Sequence, residues 1–436
     1  MNPPDDQPLR VAYLMSRFPK LTETFILYEM LALKELHTEL EIHPLLRARN
    51  TSTHPEGAGM LRKFLELLRK PDTAAVMHPE VSLLMDQVYF SPLLSFSIVG
   101  SNLVMACSKP KAYFGTLFTL IRENVGSTNF LLGSLTVFPK TVAAARGMKK
   151  RGVQHVHAHF VNHPAAMAWV IHRLTGIPFS FTAHGADLQV DQHMLCRKIA
   201  DAAFSVTISD YNRRFMIEHC GEATADAIQV IRCGVDRTVF TKHPRSATSD
   251  TMRLLCIGTL YEVKGQIYLL RACKRLLDAS LPFTCRLIGD GPDLESLKAE
   301  VLALGLSEHV VFLGRQTRQE IVAMIGDTDI QVVPSVSTTE GRREGIPVVC
   351  MEGMAGGAIL VASDISGIPE LVEHEQTGLL VPPRDPEAIA AAILRLANDP
   401  TLRRQLADGA ERKIRASYDQ TDNARHLKNH ILEHQA

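Results

Sequence analysis

The sequence predicts an α/β protein built from two Rossmann-like domains, each a parallel sheet wrapped by helices, facing across a cleft. Three observations predict this. Short apolar runs of strand length alternate with helical segments along most of the chain. Two such series are separated by the polar, proline-containing stretch Thr241–Asp250, which reads as a linker. The chain has 436 residues, enough for about two to three domains at roughly 100–200 residues each.

Taken in order, Arg10–Met15 is the first buried-strand candidate. The polar loop Ser16–Thr24 and a helix over Phe25–Leu36 follow. Strand, polar loop and helix form the opening unit of a doubly wound sheet, with the loop at the carboxyl edge where ligands bind. Residues 55–140 do not alternate in this way. Met60–Lys70 reads as a basic amphipathic helix with Leu61, Phe64, Leu65 and Leu68 on one face. The apolar runs at Pro92–Cys107, Tyr113–Ile121 and Phe130–Phe138 read as a helical insertion or as a surface that rests on a membrane. Alternation resumes with strands over Val153–Phe160, Phe179–Ala183 and Phe204–Ser209. The second series places strands at Arg253–Ile257, Phe283–Ile288, Val310–Leu313, Ile330–Val333 and Ala358–Val361. The expected division is residues 1–240 (with the insertion), 252–415, and a last helical stretch 416–436.

Lys plus Arg and Asp plus Glu are equal at 47 each, so no global charge argues for nucleic acid. Eight cysteines are scattered without C-x-x-C spacing, and read as reduced thiols in a cytoplasmic protein. The acidic start Met1–Asp6 does not look like a signal peptide, and no apolar run reaches the ~18 residues of a spanning helix.

The most informative motif is Glu344-Gly-Ile-Pro347 followed by an apolar run containing Glu352. Pro347 suits the first turn of a helix, because it has no N–H to lose there. Glu344 is then expected in the loop at a helix mouth and Glu352 on the helix itself. The free N–H groups of the first turn, with the positive end of the helix dipole, make a seat for phosphate. Carboxylates beside such a seat suit hydroxyl groups attached to the phosphate. The combination points to a nucleotide-sugar.

Glu344-x7-Glu352, Met354–Gly357, Ser363–Val372 and Gly378–Pro382 together resemble the retaining glycosyltransferases of family GT4, which have the GT-B fold. Pro19–Ile26, His157–Phe160 and Phe181–Asp187 resemble the subgroup that builds colanic acid and other bacterial exopolysaccharides. The resemblance implies transfer of a sugar from a UDP- or GDP-sugar to a saccharide or polyprenyl-linked saccharide acceptor, at the cytosolic face of the inner membrane. By that resemblance Glu344 holds a donor-sugar hydroxyl, helped by the backbone of Gly345 and Ile346. Glu352 binds the ribose, Lys264 grips the diphosphate beside Gly258 and Thr259, and the base lies near Gln316. His184 is a catalytic-cleft residue touching donor sugar or acceptor. Arg17, Glu23, Thr24 and Asp187 are acceptor-side candidates; Asp187 also reads as a helix N-cap, and Glu23 and Thr24 also read as caps of the first helix. No cofactor and no metal are called for. One departure stands out: the family usually has Gly-Arg-Leu before the lysine, and this chain has Gly258-Thr259-Leu260. A positive charge on the leaving group is thereby missing, and Arg342 or Arg343 could supply it.

Three other readings compete. A nucleotide-sugar 2-epimerase of the same fold would need no acceptor. A non-catalytic nucleotide-sugar-binding protein is favoured by Thr259. His155, His157 and His159 alternate, so on a strand they share a face and could hold zinc for a hydrolase.

Overall fold

A computed structural model describes residues 8–20, 23–47, 79–93, 95–189, 191–241, 251–339 and 341–435. The helix expected over Met60–Lys70 and nearly all of the expected linker Thr241–Asp250 lie outside the described residues. The described residues form two compact units. The first contains the chain up to Arg232 together with Thr421 onward, and the second contains Cys233–Gln420.

The first unit is built on a sheet of six parallel strands: β1 (Leu9–Phe18), β2 (Thr38–Arg47), β3 (His155–His159), β4 (Phe179–Ala183), β5 (Phe204–Thr207) and β6 (Ile228–Val230). Their order is β2-β1-β3-β4-β5-β6, so the winding reverses between β1 and β3. Alternation along β1 explains the two layers of helices. Ala12 and Leu14 join one core with Val142, Trp169 and Phe181. Val11, Tyr13 and Met15 join the other with Ile26, Met30 and Leu33 of the helix Thr24–Glu35. The final helix Gln420–Glu433 adds Ala424, Leu427 and Ile431 to this second core. Both faces of the sheet are therefore apolar, as parallel sheets require. Three further helices, Phe96–Ser108, Pro110–Asn124 and Thr128–Arg151, occupy the segment where alternation lapses.

The second unit carries β7 (Met252–Ile257), β8 (Phe283–Ile288), β9 (Val310–Gly314), β10 (Ile330–Val333), β11 (Ile359–Ser363) and β12 (Leu379–Val381). All are parallel, in the order β12-β11-β10-β7-β8-β9. This is the dinucleotide-fold order, with its reversal between β7 and β10. The helices Gln266–Asp278 and Pro386–Asn398 cover one face, and Val348–Ala355 with the end of Pro400–Ser417 covers the other.

Two expectations need correction. The cysteines are not all thiols: Cys196 and Cys220 are disulfide-bonded, joining the helix Leu195–Asp201 to the end of Asp210–Cys220. Their side chains meet only because two helices distant in sequence by 24 residues come together. Pro347 is not in the first turn but one residue before it, at the cap position with ψ 129°.

The loops after β7 and β10 are locked together. Val336 N–H donates to Val263 O at 2.9 Å. Gly265 has φ +65°, and a Cβ built there would lie 1.9 Å from Pro334 O. Both the left-handed backbone and the close approach need glycine. Gly265→Ala is expected to lower stability by roughly 2 kcal/mol or more, seen as a reduced urea midpoint with an unchanged slope.

Candidate functional site

In the second unit, the loop after β7 passes through Gly258 and Thr259 into a short turn, Glu262–Lys264. The aliphatic stem of Lys264 runs beside Gly258, whose built Cβ would sit 3.2 Å from Lys264 Cδ. Thr259 O accepts from Gln266 Nε2 at 3.1 Å, which ties the loop to the following helix. The long segment after β10 brings Glu344 to the same place: its Oε1 lies 3.0 Å from Lys264 Nζ. Ile346 is buried in the core and anchors that segment, and Gly345 leads into it. The helix Val348–Ala355 then starts with no side-chain cap, which leaves its first N–H groups available to an anion. Gly353 lets this helix approach β10, since a built Cβ would lie 2.2 Å from Gln331 Oε1. Gln331 Nε2 donates to Val349 O at 2.8 Å and sets the helix on the sheet.

Lys264, Glu344 and Glu352 all act electrostatically on the buried Cys350 thiol. Burial pushes that thiol upward, Lys264 pulls it down, and the two glutamates raise it. These charges therefore share one locality at the β7/β10 reversal. Packing around Glu352 pushes its carboxyl up to about 7, while the Arg318 guanidinium opposes the shift. Arg318 opens the helix Arg318–Gly326 and was not singled out by the sequence, because an arginine after the helix-starting Thr317 has no distinguishing signal. Gln316 follows β9, at the far side of the same edge, and its Nε2 donates to Leu313 O at 2.6 Å. The Arg342 guanidinium carbon lies 5.9 Å from the ring centre of Tyr261, within the turn that carries Lys264.

In the first unit a buried polar line runs along β3 and β4. His155 Nε2 lies 2.7 Å and His157 Nδ1 2.8 Å from Ser180 Oγ, and His157 Nε2 lies 3.0 Å from Thr182 Oγ1. His159 Nδ1 meets His184 Nε2 at 3.0 Å, and His159 Nε2 meets Glu29 Oε1 at 3.1 Å. Tyr13 OH donates to the same glutamate oxygen at 2.8 Å. Burial would raise Glu29, but His159, His157 and Tyr13 outweigh it and hold the carboxylate down at about 2. Burial, aided by the charge of His159, pushes His157 down to about 3 and His184 well below its usual value. Glu29 and Tyr13 complete the line and were missed by sequence reasoning. The available signal was a lone carboxylate beside the apolar stripe Ile26, Met30 and Leu33. Glu29, His157 and His159 offer ligand atoms within 4.8 Å of one another, but both nitrogens of His157 already meet hydroxyls. His155 lies outside that group, so the three-histidine zinc arrangement is not the one formed.

His184 stands at the carboxyl end of β4, half-buried, with ring centres of Phe25 at 4.7 Å and Phe160 at 5.0 Å. Asp187 is not an N-cap. It lies inside the short helix Ala186–Gln189 and accepts from the N–H groups of His184, Gly185 and Val161 at 3.0, 2.9 and 2.8 Å. Lys198, buried and pushed down to about 7 by burial against the pull of Asp187 and Asp191, donates to Val161 O. Asp187 and Lys198 thus clamp the loops after β3 and β4. Glu23 occupies the cap position of the first helix without a side-chain capping bond and pairs with Lys20, and Thr24 is the first helical residue. Arg17 is the penultimate residue of β1, at the same carboxyl edge.

The family profile "Glycosyl transferases group 1" matches residues 240–413, and "Glycosyltransferase Family 4" matches residues 105–239. The two abut and together span most of the chain. The chain thus carries a match to a family 4 glycosyltransferase domain followed by a match to a group 1 glycosyltransferase domain. It is 36% identical over 168 residues to the putative colanic acid biosynthesis glycosyltransferase WcaL of Escherichia coli, covering 38% of this chain and 41% of that one. It is 38% identical over 174 residues to the amylovoran biosynthesis glycosyltransferase AmsK of Erwinia amylovora, covering 40% and 42%. These alignments thus span about two fifths of each relative's length. Among solved structures, Anabaena Alr3699/HepE in complex with UDP and glucose superposes with a TM-score of 0.65 at 17% identity, over 97% of this chain and 98% of that one. The fold of this chain is therefore GT-B.

Two expected outcomes follow from these charges. Glu29 is held below the usual carboxylate value, so its stabilising contribution is full above that value and is lost as pH falls toward about 2. Glu29→Gln is expected to lower unfolding free energy by about 2–4 kcal/mol at pH 7 and by less at pH 3, measured by urea denaturation. Glu352 is raised to about 7, so the folded state holds the proton longer than the unfolded one and stability falls as pH rises from the usual carboxylate value. Glu352→Gln is expected to gain on wild type by roughly 2 kcal/mol between pH 4 and pH 8; parallel curves would contradict this.

Proposed function

We propose that this protein transfers a sugar, with retention, from a nucleotide-sugar to a saccharide acceptor in the assembly of a bacterial exopolysaccharide. The observation that carries the proposal is the Lys264–Glu344 pair at the β7/β10 reversal, beside the uncapped start of the helix Val348–Ala355. Breaking a glycosyl–phosphate bond builds positive charge on the sugar and negative charge on the departing diphosphate. Fixed donors aimed at the growing anion lower the barrier. An ammonium has three N–H donors, so Lys264 can hold Glu344 and a phosphate oxygen together. The helix N-terminus adds further donors without a metal ion. Glu344 then takes a hydroxyl of the transferred sugar, with Gly345 and Ile346 contributing backbone contacts. Glu352 takes the ribose, with Gly258 and Thr259 beside the diphosphate and Gln316 toward the base.

The carboxyl edge of the first unit receives the acceptor. His184, fixed through His159 by Glu29, presents its ring at that edge, and Arg17, Glu23, Thr24 and Asp187 lie in the flanking loops. The relatives named for colanic acid and amylovoran biosynthesis support a saccharide acceptor, and on this reading that saccharide is lipid-linked and met at the cytosolic membrane face. HepE was solved in complex with UDP and glucose, which makes UDP-sugars the first donors to try here, with GDP-sugars next.

Thr259 favours a second reading, a nucleotide-sugar-binding protein without catalysis. Against it stands Arg342, whose guanidinium leans over Tyr261 in the loop where the usual arginine would be. On the transferase reading, a panel of UDP-, GDP- and ADP-sugars raises the melting temperature for one donor class. Glu344→Ala is expected to keep the fold and to reduce transfer by at least about 100-fold, a ΔΔG‡ of about 2.7 kcal/mol. Arg342→Ala is expected to weaken donor binding about 10-fold, or about 1.4 kcal/mol, in the same melting assay. Unchanged turnover in Glu344→Ala would refute the assigned role.

A further inference from the structure

The helices Phe96–Ser108 and Pro110–Asn124 bury apolar residues, among them Ile98, Met105 and Leu120, and leave large apolar side chains exposed as well. Thr116 and Asn124 are buried, and so is Ser134 of the helix that follows. Half-buried Asn102 donates to Ile98 O and Pro139 O and accepts from Tyr113 OH, and buried Asn124 donates to Leu120 O, while the buried hydroxyls of Thr116 and Ser134 have no hydrogen-bond partner among the described residues. The outward faces carry large apolar side chains too. On the first helix Phe96 is 98% exposed, with Val99 and Leu103 following at 50% and 62%. On the second, Phe114 and Phe118 are 56% and 65% exposed, and Val125 just beyond its end is 65% exposed. The spacings of three and four put Phe96, Val99 and Leu103 on one stripe of the first helix and Phe114 and Phe118 on one stripe of the second. Single surface apolar residues need no explanation, but two aligned stripes on neighbouring helices do.

The charge of the same stretch is equally one-sided. Between Asp86 and Asp187 there are nine Lys and Arg (109, 111, 122, 140, 146, 149, 150, 151 and 173) and one acidic residue, Glu123; of the nine, Lys140 is buried against the carbonyls of Pro44 and Leu45 and Arg151 pairs with Glu41. The whole chain is balanced at 47 of each sign. Lys109 is the single residue between the two helices, and Lys111 is exposed on the second. Among the described residues no helix is long and apolar enough to cross a membrane. We infer that the stripes on Phe96–Ser108 and Pro110–Asn124 form a docking face for the surface of an anionic phospholipid bilayer, with the aromatic and aliphatic side chains entering the interface and the flanking lysines meeting lipid phosphates. An acidic interface attracts such a face, while a second copy of the same cationic face is repelled. Insertion is shallow, as for a helix lying in the interface plane. The inference names the membrane surface on which the proposed lipid-linked acceptor would be met, but its test needs neither donor nor acceptor.

The test is flotation of the full chain with vesicles of equal phosphatidylglycerol and phosphatidylcholine, against vesicles of phosphatidylcholine alone. Wild type is expected to float with the anionic vesicles and to be released by high salt. Phe96→Ser, Leu103→Ser and Phe118→Ser combined are expected to reduce binding at least about 10-fold. Lys109→Glu with Lys111→Glu is expected to reduce it by about fivefold or more for each lysine removed. Because Phe96, Leu103, Phe118 and Lys111 are exposed, the melting temperature and any donor-induced shift of the serine variant and of Lys111→Glu alone should stay at wild-type values, whereas Lys109 also donates to Leu174 O at 3.2 Å and its variant gives up that bond. Absence of wild-type binding to anionic vesicles overturns the inference. So does full binding by the triple serine variant, or equal, salt-independent binding to phosphatidylcholine. A dimer of wild type in sedimentation velocity that the serine variant loses overturns it too, by assigning the face to a second copy. A failed donor screen with intact flotation would count against the transferase reading alone.

Discussion

The pairing of β7 with β10 is the constraint on which the second unit depends. Ile330 lies opposite Leu254 and Gln331 opposite Leu255, although most of a hundred residues separate the two strands along the chain. Strands wound in opposite directions from a common centre send their helices to opposite faces. The loops that follow must therefore part at the carboxyl edge, and a crevice opens between them. Lys264 comes from one loop and Glu344 from the other. Their pairing, the backbone bond from Val336 to Val263, and the contact of Gly265 with Pro334 hold the two loops in register. The charge of each residue is ordinary, and the locality they share with Glu352 is what gives them chemistry.

The first unit meets the same topological demand with a different material. Its reversal lies between β1 and β3, and β3 presents three histidines to a sheet face where apolar residues would normally sit. Desolvating such rings is costly unless each nitrogen finds a partner. Ser180 and Thr182 on β4 supply hydroxyls, and Glu29 with Tyr13 ends the line, so that of the three rings only His155 keeps a nitrogen, Nδ1, without a hydrogen-bond partner among the described residues. The result is a rigid polar seam that delivers His184 to the carboxyl edge with its neighbour His159 already engaged. Buried networks of this kind stabilise when complete and destabilise when one member is lost. Asp187 and Lys198 belong to the same logic, since each binds one backbone atom of Val161 and together they steady the loops around the seam.

Much of this was legible in the chain. The alternation of apolar runs and helices predicted two parallel sheets, because a strand buried on both faces leaves a continuous apolar signature. Arg10–Met15, Phe179–Ala183 and Ile330–Val333 were found in this way. The strands not expected are β2, β6 and β12, and all three lie at sheet edges. An edge strand makes one ladder and is covered less completely. β2 mixes Glu39, Glu41 and His43 into its run and includes Pro44, while β6 and β12 are three residues each. The helix start after Glu344 was likewise legible, because a proline just ahead of an apolar run marks the beginning of a helix.

By itself, then, the sequence determined the fold class, the resemblance to glycosyltransferases and the local helix start after Glu344, since each rests on short-range periodicity or on residues a few positions apart. Only the tertiary structure decided which distant residues became neighbours. Glu29 with His159, Arg318 with Glu352, Arg342 over Tyr261 and Cys196 bonded to Cys220 all join segments that no local pattern links. It also decided which side of the helices Phe96–Ser108 and Pro110–Asn124 faces water. An amphipathic pattern shows that a helix has two faces. The partner it packs against decides which of them is buried.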